Sequence, residues 1–404
     1  MKKIFLFLVC VLVNQVMVEG AQREIPVYKK GNRSVKLAVD LSRLRIIGNH
    51  SPAEFRRVLE NDLKRSGWFI LTGRNEAAVA VIGSCAVSGG TLKVRCEVRN
   101  AATSVTYLSK TFMEKNDHAR KLAHEVADEI VWAVKRVRGI ASTRIAMIGS
   151  QGTRKDVYLC DADGKNFTRL TKEEVVCIAP NWAPDGAALV YTSFRGGFPD
   201  VYRVDLTGTP PKRIAGYPGL NAGADISPDG KRIVLTLSKD GNPDLYIMDR
   251  GKRSLIRLTR TRHAAEASPS WSPDGERVVF VSDRSGSPQL YITGLKGNGQ
   301  TRITFRGYEN VSPDWGHDGR IAYSSRRQGR YHICIIDPET GRGEQLTSKA
   351  FDHEDPSWAP DNRHIVYTRT VGYHSDLYIL DTLGDPSIRL TTVKGNWYSP
   401  AWSP

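Results

Sequence analysis

The chain has 404 residues, a formal net charge of +15 and six cysteines. Its longest apolar stretch, Ile4 to Val13, is too short to span a bilayer as a helix, which excludes a membrane-spanning segment there. The odd number of cysteines left after residue 20 (Cys85, Cys96, Cys160, Cys177 and Cys334) leaves at least one thiol unpaired, so the fold cannot rest on disulfides alone.

Lys2 and Lys3 precede the apolar run, and Val18-Glu19-Gly20 supplies small or aliphatic residues before Ala21. This is the pattern of a secretory signal peptide over residues 1–20, with the mature chain beginning near Ala21 outside the cytoplasm. Cys10 follows Val9 rather than a small residue, which argues against a lipoprotein site.

Residues 21–140 carry 22 basic and 12 acidic side chains, whereas residues 141–404 carry 34 and 30. The N-terminal part is therefore the basic one. For a secreted chain, nucleic acid is not the expected partner, and envelope polymers, lipid headgroups or an acidic protein fit the charge better, beside the plain alternative of a solvated basic surface.

Val35 to Val39 reads as a strand, and Ser51-Pro52-Ala53-Glu54 has the pattern of a capping box opening a helix to about Arg65. Phe69 to Leu71, Ala78 to Ala86, Thr91 to Val98 and Val105 to Phe112 read as further strands. A second helix is expected from about Asp117 to Arg138, with Leu122, Val126, Ile130, Val134 and Val137 on one buried stripe. Together these predict an α/β domain over residues 21–140, with Gly139 to Ser142 as the short junction to the C-terminal region. Cys85 and Cys96 flank Gly89-Gly90 in an expected hairpin, so a cross-strand disulfide is conceivable; two separate buried thiols is the more economical reading.

From residue 141 onward the chain repeats. Trp271-Ser272-Pro273-Asp274-Gly275 recurs around Trp182, Ile226, Trp315 and Trp358, and a truncated copy, Trp402-Ser403-Pro404, ends the sequence; the intervals are 44, 45, 44, 43 and 44 residues. A second marker, Asp-Val/Leu-Tyr in its commonest form, stands at Asp156, Asp200, Asp244, Gln289, His332 and Asp376. Four short strands per period of this size describe the blade of a β-propeller rather than a helical solenoid. Six copies of each marker give six blades. Because the first unit opens at Arg144-Ile145-Ala146-Met147 without the pentapeptide and the last unit ends on it, the C-terminal strand through Trp402 is expected to complete the blade begun at residue 144. Such closure leaves no open edge. The fold class is thus an N-terminal α/β domain followed by an all-β six-bladed propeller over residues 141–404.

The repeated Asp of Pro-Asp-Gly sits where a type I turn favours a short polar side chain, and one carboxylate per turn cannot supply a calcium ion with six to eight oxygens. Repeated Trp and Tyr residues are read as packing between blades, with carbohydrate stacking as the sharper alternative. No His-Glu-x-x-His, zinc-type Cys/His spacing, Gly-x-Ser-x-Gly elbow or phosphate-binding glycine loop is present, and no cofactor or metal is expected. His353-Glu354-Asp355 is the densest polar cluster. It belongs to a series of segments before the Trp positions that also holds His263, Glu266, Tyr308, Glu309, Asn310, Asn396 and Trp397, expected to form a polar, partly aromatic rim on one face around the central channel.

The order of leader, small α/β domain and six Trp-Ser-Pro-Asp-Gly units resembles the TolB family, periplasmic components of the Tol-Pal envelope system. The resemblance is carried by Thr143-Arg144-Ile145-Ala146, Ser270-Trp271-Ser272-Pro273-Asp274-Gly275 and Pro400-Ala401-Trp402-Ser403-Pro404. It implies a non-enzymatic periplasmic scaffold serving envelope integrity and outer-membrane constriction at division. It also implies two partners: a Pal-like peptidoglycan-associated lipoprotein on one propeller face, and a TolA-like inner-membrane protein at the mature N-terminus, Ala21-Gln22-Arg23-Glu24-Ile25-Pro26-Val27. Pro26 departs from the pattern there, since proline cannot donate a ladder hydrogen bond. The segment resembling the Pal-contacting loop is Gly219 to Ala224, with Leu220 and Gly223 where the family tends to carry His and Ala. The expected protein-binding residues are accordingly Leu220, Gly223, His263, Glu266, Tyr308, Glu309 and His353. The alternative from another class is a secreted propeller hydrolase or lyase acting on envelope polysaccharide with rim carboxylates as acid and base, although no residue pair marks such a role.

Overall fold

The computed structural model describes residues 36–404 apart from 152, 153, 174, 253 and 298; the leader and the segment Ala21–Val27 lie outside the described residues. The first part is one sheet with two helices on one face. Its strands are β1 (Leu37–Asp40), β2 (Leu44–Ile47), β3 (Phe69–Leu71), β4 (Val79–Ser88), β5 (Thr91–Asn100) and β6 (Thr106–Lys115). They run in the order β3-β1-β4-β5-β6, with β2 also pairing β4; contacts among β1, β2, β3 and β4 are parallel, and β4-β5-β6 is an antiparallel meander. Strand β2 is an addition to the expected set, because Leu44–Ile47 is a run of only four residues interrupted by Arg45.

Helix α1 (Ser51–Arg65) buries Phe55, Val58, Leu59 and Leu63 against this sheet, a spacing that keeps all four on one face. Its start corrects the expected capping box. Ser51 is already inside the helix, the cap position is His50 at φ 58°, and no side chain caps the turn; the Glu54 N–H instead donates to His50 O at 2.8 Å. Helix α2 (Ala119–Lys135) is shorter than expected, since Asn116–His118 forms a 3-10 turn before it and Arg136, left-handed at φ 56°, ends it. Leu122, Val126 and Ile130 are fully buried, while Val134 and Val137 only flank the cluster.

All five described cysteines are free and buried. In the β4-β5 ladder Cys85 faces Val94 and Cys96 faces Gly83, so the two thiols are offset by two residues rather than opposed.

From Arg144 the chain forms six four-stranded antiparallel sheets. Five are consecutive meanders. The sixth has the order Asn396–Trp402, Arg144–Gln151, Arg154–Asp161, Thr168–Arg169, so the last strand pairs with the first strand of the ring in the register Trp402↔Ile145 and Asn396↔Ser150. Around this seam Trp402 Nε1 donates to Thr143 Oγ1 at 2.8 Å, Ser403 N donates to Arg144 O at 2.8 Å, and Arg144 N donates to Ser403 Oγ at 2.9 Å.

Both sequence markers have a physical cause in the blades. In the pentapeptide turn, Asp274 Oδ1 accepts from Ser272 Oγ at 2.5 Å and Glu276 N at 2.9 Å, and Asp229 repeats this with Ser227 and Lys231. The turn consumes the carboxylate. In the second marker, Asp244 accepts from Arg257 Nη2 at 2.5 Å and Thr259 Oγ1 at 3.0 Å, while Thr259 Oγ1 accepts from Leu245 N at 2.9 Å. Asp156 with Arg169 and Thr171, and Asp376 with Arg389 and Thr391, form the same knot, which ties the short outer strand to its neighbour.

The two parts meet through polar contacts at the blade formed around Arg363 and at the turn after Asp161. Lys36 pairs with Asp385 at 2.6 Å, Arg120 with Asp163 at 2.6 Å, Arg65 Nη2 donates to Ala162 O at 3.0 Å, and Arg363 lies 4.3 Å from the Trp68 ring centroid.

The seam yields a test of closure. Trp402 is 5 % exposed and makes contacts on both sides of the ring junction, so Trp402→Ala should cost about 3–5 kcal/mol, as for other buried tryptophans. Removal of residues 400–404 should open the blade altogether. An unchanged thermal midpoint for the truncated protein would rule out this mode of closure.

Candidate interaction face and central channel

In an antiparallel meander blade the connections between strands two and three, and between the outer strand and the next inner strand, share one face. The Pro-Asp-Gly turns share the other. The rim residues must therefore be sorted by what each side chain touches. His263 and Tyr308 are exposed, Tyr308 by 69 %, and Phe305 on the same loop as Tyr308 is exposed by 73 %. Glu309 is half-buried and accepts from Tyr331 Oη and from Arg326 Nη1, so it braces the neighbouring hairpin. Leu220, Glu266 and His353 are buried, at 8 %, 0 % and 2 % exposure, and this corrects their expected place in a contact surface.

The reason is their register. Glu266 and Asn310 open the inner strands Glu266–Trp271 and Asn310–Trp315, and His353 is the second residue of Asp352–Trp358, each five residues before its Trp. That position points between blades, toward the second marker. Asn221 Nδ2 donates to Asp200 Oδ1 at 3.2 Å, Asn310 Nδ2 to Gln289 Oε1 at 2.7 Å, and His353 stacks on His332 at 5.8 Å, whereas Trp397, at the same position in the seam blade, meets Tyr158 of its own blade edge-on at 5.1 Å. Glu266 accepts from Thr261, Ser282 and Arg284, and burial raises its carboxyl to about 7. Burial, then the neighbouring His332 charge, lowers the His353 imidazole to about 4, so it is neutral in place.

The inner strands carry a feature that the repeated residue types do not reveal. Each has a register break just before the Trp position, and the residue three places before it is left-handed: Ala179, Gly223, Ser268, Ser312, Asp355 and Ser399 at φ between 45° and 59°. These are bulges, which re-aim side chains and leave a backbone N–H to be satisfied elsewhere. Gly223 N donates to Thr192 Oγ1 at 3.3 Å, Asp355 N to Ser324 Oγ at 3.0 Å, and Ser399 N to Thr368 Oγ1 at 3.2 Å, in each case a hydroxyl from the preceding blade. Asp355 also accepts from Ser312 Oγ at 2.8 Å and Ser399 Oγ at 3.0 Å, joining three consecutive blades.

A second set lies one residue before each Trp position. Asp225 Oδ2 accepts from Trp271 N at 2.8 Å, Ser270 Oγ from Trp315 N at 3.1 Å, Asp314 Oδ2 from Trp358 N at 2.6 Å, and Ser357 Oγ from Trp402 N at 3.0 Å. The chain of contacts runs around the channel. Burial raises the Asp225 carboxyl to about 7 and that of Asp314 to about 6, the Asp314 charge adding to the first. Nearer the rim, burial and then the charges of Asp355 and Asp352 raise Glu354 to about 8. Position within the period was the available signal for all of these, since aligning the six copies puts them in two columns.

Among the described residues His124, Asp161 and Asp163 lie close enough together to hold a cation. Their atoms are already engaged, with Arg120 on Asp163 at 2.6 Å and Asp62 on His124 Nδ1 at 2.6 Å, so the group is a charge network of the junction.

Asp314 permits a pH test of the ring. A carboxyl raised in the fold contributes stability fully below its unfolded value near 4, and that contribution is lost as pH climbs through the folded value near 6. Asp314→Asn retains an oxygen for Trp358 N and removes the titration. The variant should therefore gain on the parent between pH 4 and pH 8, by an amount on the order of 3 kcal/mol. Parallel stability profiles for the two proteins would contradict a buried, titrating Asp314.

Comparison with known proteins agrees with this architecture. The family profile described as the TolB beta propeller domain matches residues 133–404. The Tol-Pal system protein TolB of Bordetella parapertussis is 29 % identical over 213 residues, 48 % of this chain and 48 % of that protein. TolB of Legionella pneumophila is 32 % identical over 167 residues, covering 36 % of this chain and 40 % of its own length. These alignments thus span no more than about half of the curated relatives. The crystal structure of TolB from Acinetobacter baumannii superposes with a TM-score of 0.81 and 27 % identity, covering 91 % of this chain and 97 % of that one. With the profile covering the whole ring and the superposition extending through the preceding sheet, the chain belongs to the TolB β-propeller family.

Proposed function

We propose that the protein is a non-enzymatic periplasmic scaffold of a Tol-Pal-type envelope system that docks a Pal-like lipoprotein over the channel mouth. The chain then divides into a leader (1–20), an α/β domain (21–140) and the propeller (141–404). The observation that carries the reading is the composition of the rim: exposed Phe305, Tyr308 and His263 stand among Arg260, Arg262 and Arg306, which make no ion pair among the described residues. Aromatic and arginine side chains of this kind supply most of the binding energy in protein interfaces. A TolA-like partner at Ala21–Val27 belongs to the same reading, and family membership supports both partners.

A hydrolase or lyase has one observation in its favour. Glu354, protonated near neutral pH at the channel rim, is the state a general acid requires. Its neighbour Asp355 argues the other way, because both of its oxygens already accept serine hydroxyls from flanking blades. The other carboxylate in this segment, Asp352, likewise already accepts from Arg330 and from Tyr331 N.

Two measurements separate these readings. His263→Ala combined with Tyr308→Ala should weaken a Pal-like lipoprotein more than tenfold, about 1.4 kcal/mol, without unfolding the protein. Asp229→Ala with Asp274→Ala, on the turn face, should leave affinity unchanged; the opposite result in folded proteins would place the docking face on the wrong side. Purified protein should show no turnover of peptidoglycan or other envelope glycans, and turnover abolished by Glu354→Gln would overturn the scaffold reading.

A further inference from the structure

The helices cover only one face of the N-terminal sheet. On that side Cys85, Leu92, Val94, Cys96, Val98 and Phe112 join the helix residues in a single core. Side chains alternate along a strand, so the intervening residues of β2, β4, β5 and β6 point to the opposite face. No described element packs there.

The ladder registers align the residues of this open face. One row crosses the sheet as Arg45, Ser84 and Arg95, and the next as Ile47, Ala86, Lys93 and Met113. Arg45, Lys93 and Arg95 are exposed and have no carboxylate partner among the described residues; the small Ser84 and Ala86 lie between them. The acidic side chain on this face, Glu97, is already paired with Arg99 at 2.6 Å. At the two ends of the second row, Ile47 and Met113 are 55 % and 65 % exposed.

We propose that this face docks on an anionic phospholipid surface. The charges are cationic and unpaired, as an acidic surface requires. They project from the face of the sheet, on β2 and β5, whereas an extended acidic peptide would add in the plane of the sheet at the outer edges that β2 and β6 leave unpaired. The exposed apolar side chains stand in the same row as Lys93, so they can enter the headgroup region while Lys93, Arg45 and Arg95 meet phosphates. This surface is separate from the channel mouth, so the inference does not depend on the lipoprotein reading.

The test uses the chain from residue 21 onward, which keeps every described residue and removes the apolar run Ile4–Val13, in co-sedimentation with vesicles. Vesicles of equal parts phosphatidylglycerol and phosphatidylcholine should retain the protein at low ionic strength, and phosphatidylcholine alone should not. Retention should fade as salt approaches about 0.15 M, where charges are screened beyond about 8 Å. Arg45→Glu with Arg95→Glu should reduce binding at least tenfold, and Ile47→Asp with Met113→Asp should reduce it too, with thermal midpoints checked for each. Arg260→Glu with Arg262→Glu makes the same change in net charge on the channel face and should leave vesicle binding intact. The proposal fails if phosphatidylglycerol vesicles do not bind, or if the Arg260/Arg262 pair proves the damaging one. It also fails if Arg45 and Arg95 are needed only for retention on a polyglutamate matrix, which would assign the face to an acidic protein segment.

Discussion

Everything in the propeller depends on how one blade grips the next at the Trp position. The indole of each such Trp is buried, and in four of them its face is covered by an arginine from the preceding blade: Arg144 over Trp182, Arg232 over Trp271, Arg277 over Trp315 and Arg320 over Trp358, at 4.9 to 5.5 Å. Its backbone N–H is held in four blades by the side chain one residue before the equivalent position of the blade behind. A cation–π contact contributes about 0.5–2 kcal/mol and a well-buried indole several more, so these sites dominate the adhesion between blades. Where Ile226 replaces Trp the indole is lost, while Asp225 beside it keeps the grip on the next blade, accepting from Trp271 N through its carboxylate and from Trp271 Nε1 through its carbonyl, as Ala401 O does from Trp182 Nε1.

This grip explains why the architecture was legible in the sequence and the interaction face was not. The pentapeptide, the second marker and the Arg and Thr that bind it, such as Arg257 and Thr259 on Asp244, each make a local, repeated contact, so each leaves a residue type at a fixed interval. Strand order, blade number and the seam follow from them. Rim residues answer to a different constraint. Glu266, Asn310 and His353 look alike in the sequence to His263 and Tyr308, being polar residues a few positions before a Trp. What decides is whether the residue lies on the inner strand, five places before its Trp and between blades, or in the loop that precedes that strand, and the bulge that sets the strand's aim is invisible in residue type because Ala179, Gly223, Ser312 and Asp355 all occupy it. The same holds for β2 and for the start of α1, where tertiary packing overrode weak local signals.

The channel is lined by groups that would repel one another if all were charged. Burial resolves this by raising Asp225, Asp314 and Glu354 toward neutrality, while Asp355 is held by two serine hydroxyls. The ring is therefore bonded through polar contacts without concentrating negative charge on its axis. At pH 7 Glu354 is mostly protonated, Asp225 about half so and Asp314 mostly ionised, so the axis carries less negative charge than the same carboxylates would in water.

The seam between Asn396–Trp402 and Arg144–Gln151 has a consequence for how the molecule is made. The bonds that close it join residues 259 positions apart within the ring, and they involve residues synthesised after all the rest of the ring. Loop-closure entropy grows only slowly with length, so the cost falls on the rate and not on the final stability. Until that last segment arrives, five blades and a fragment form an open arc whose first strand presents an unpaired edge. During that interval the nascent chain is exposed to strand pairing with other chains and to proteolysis, and completion of the ring is the event that removes both hazards at once.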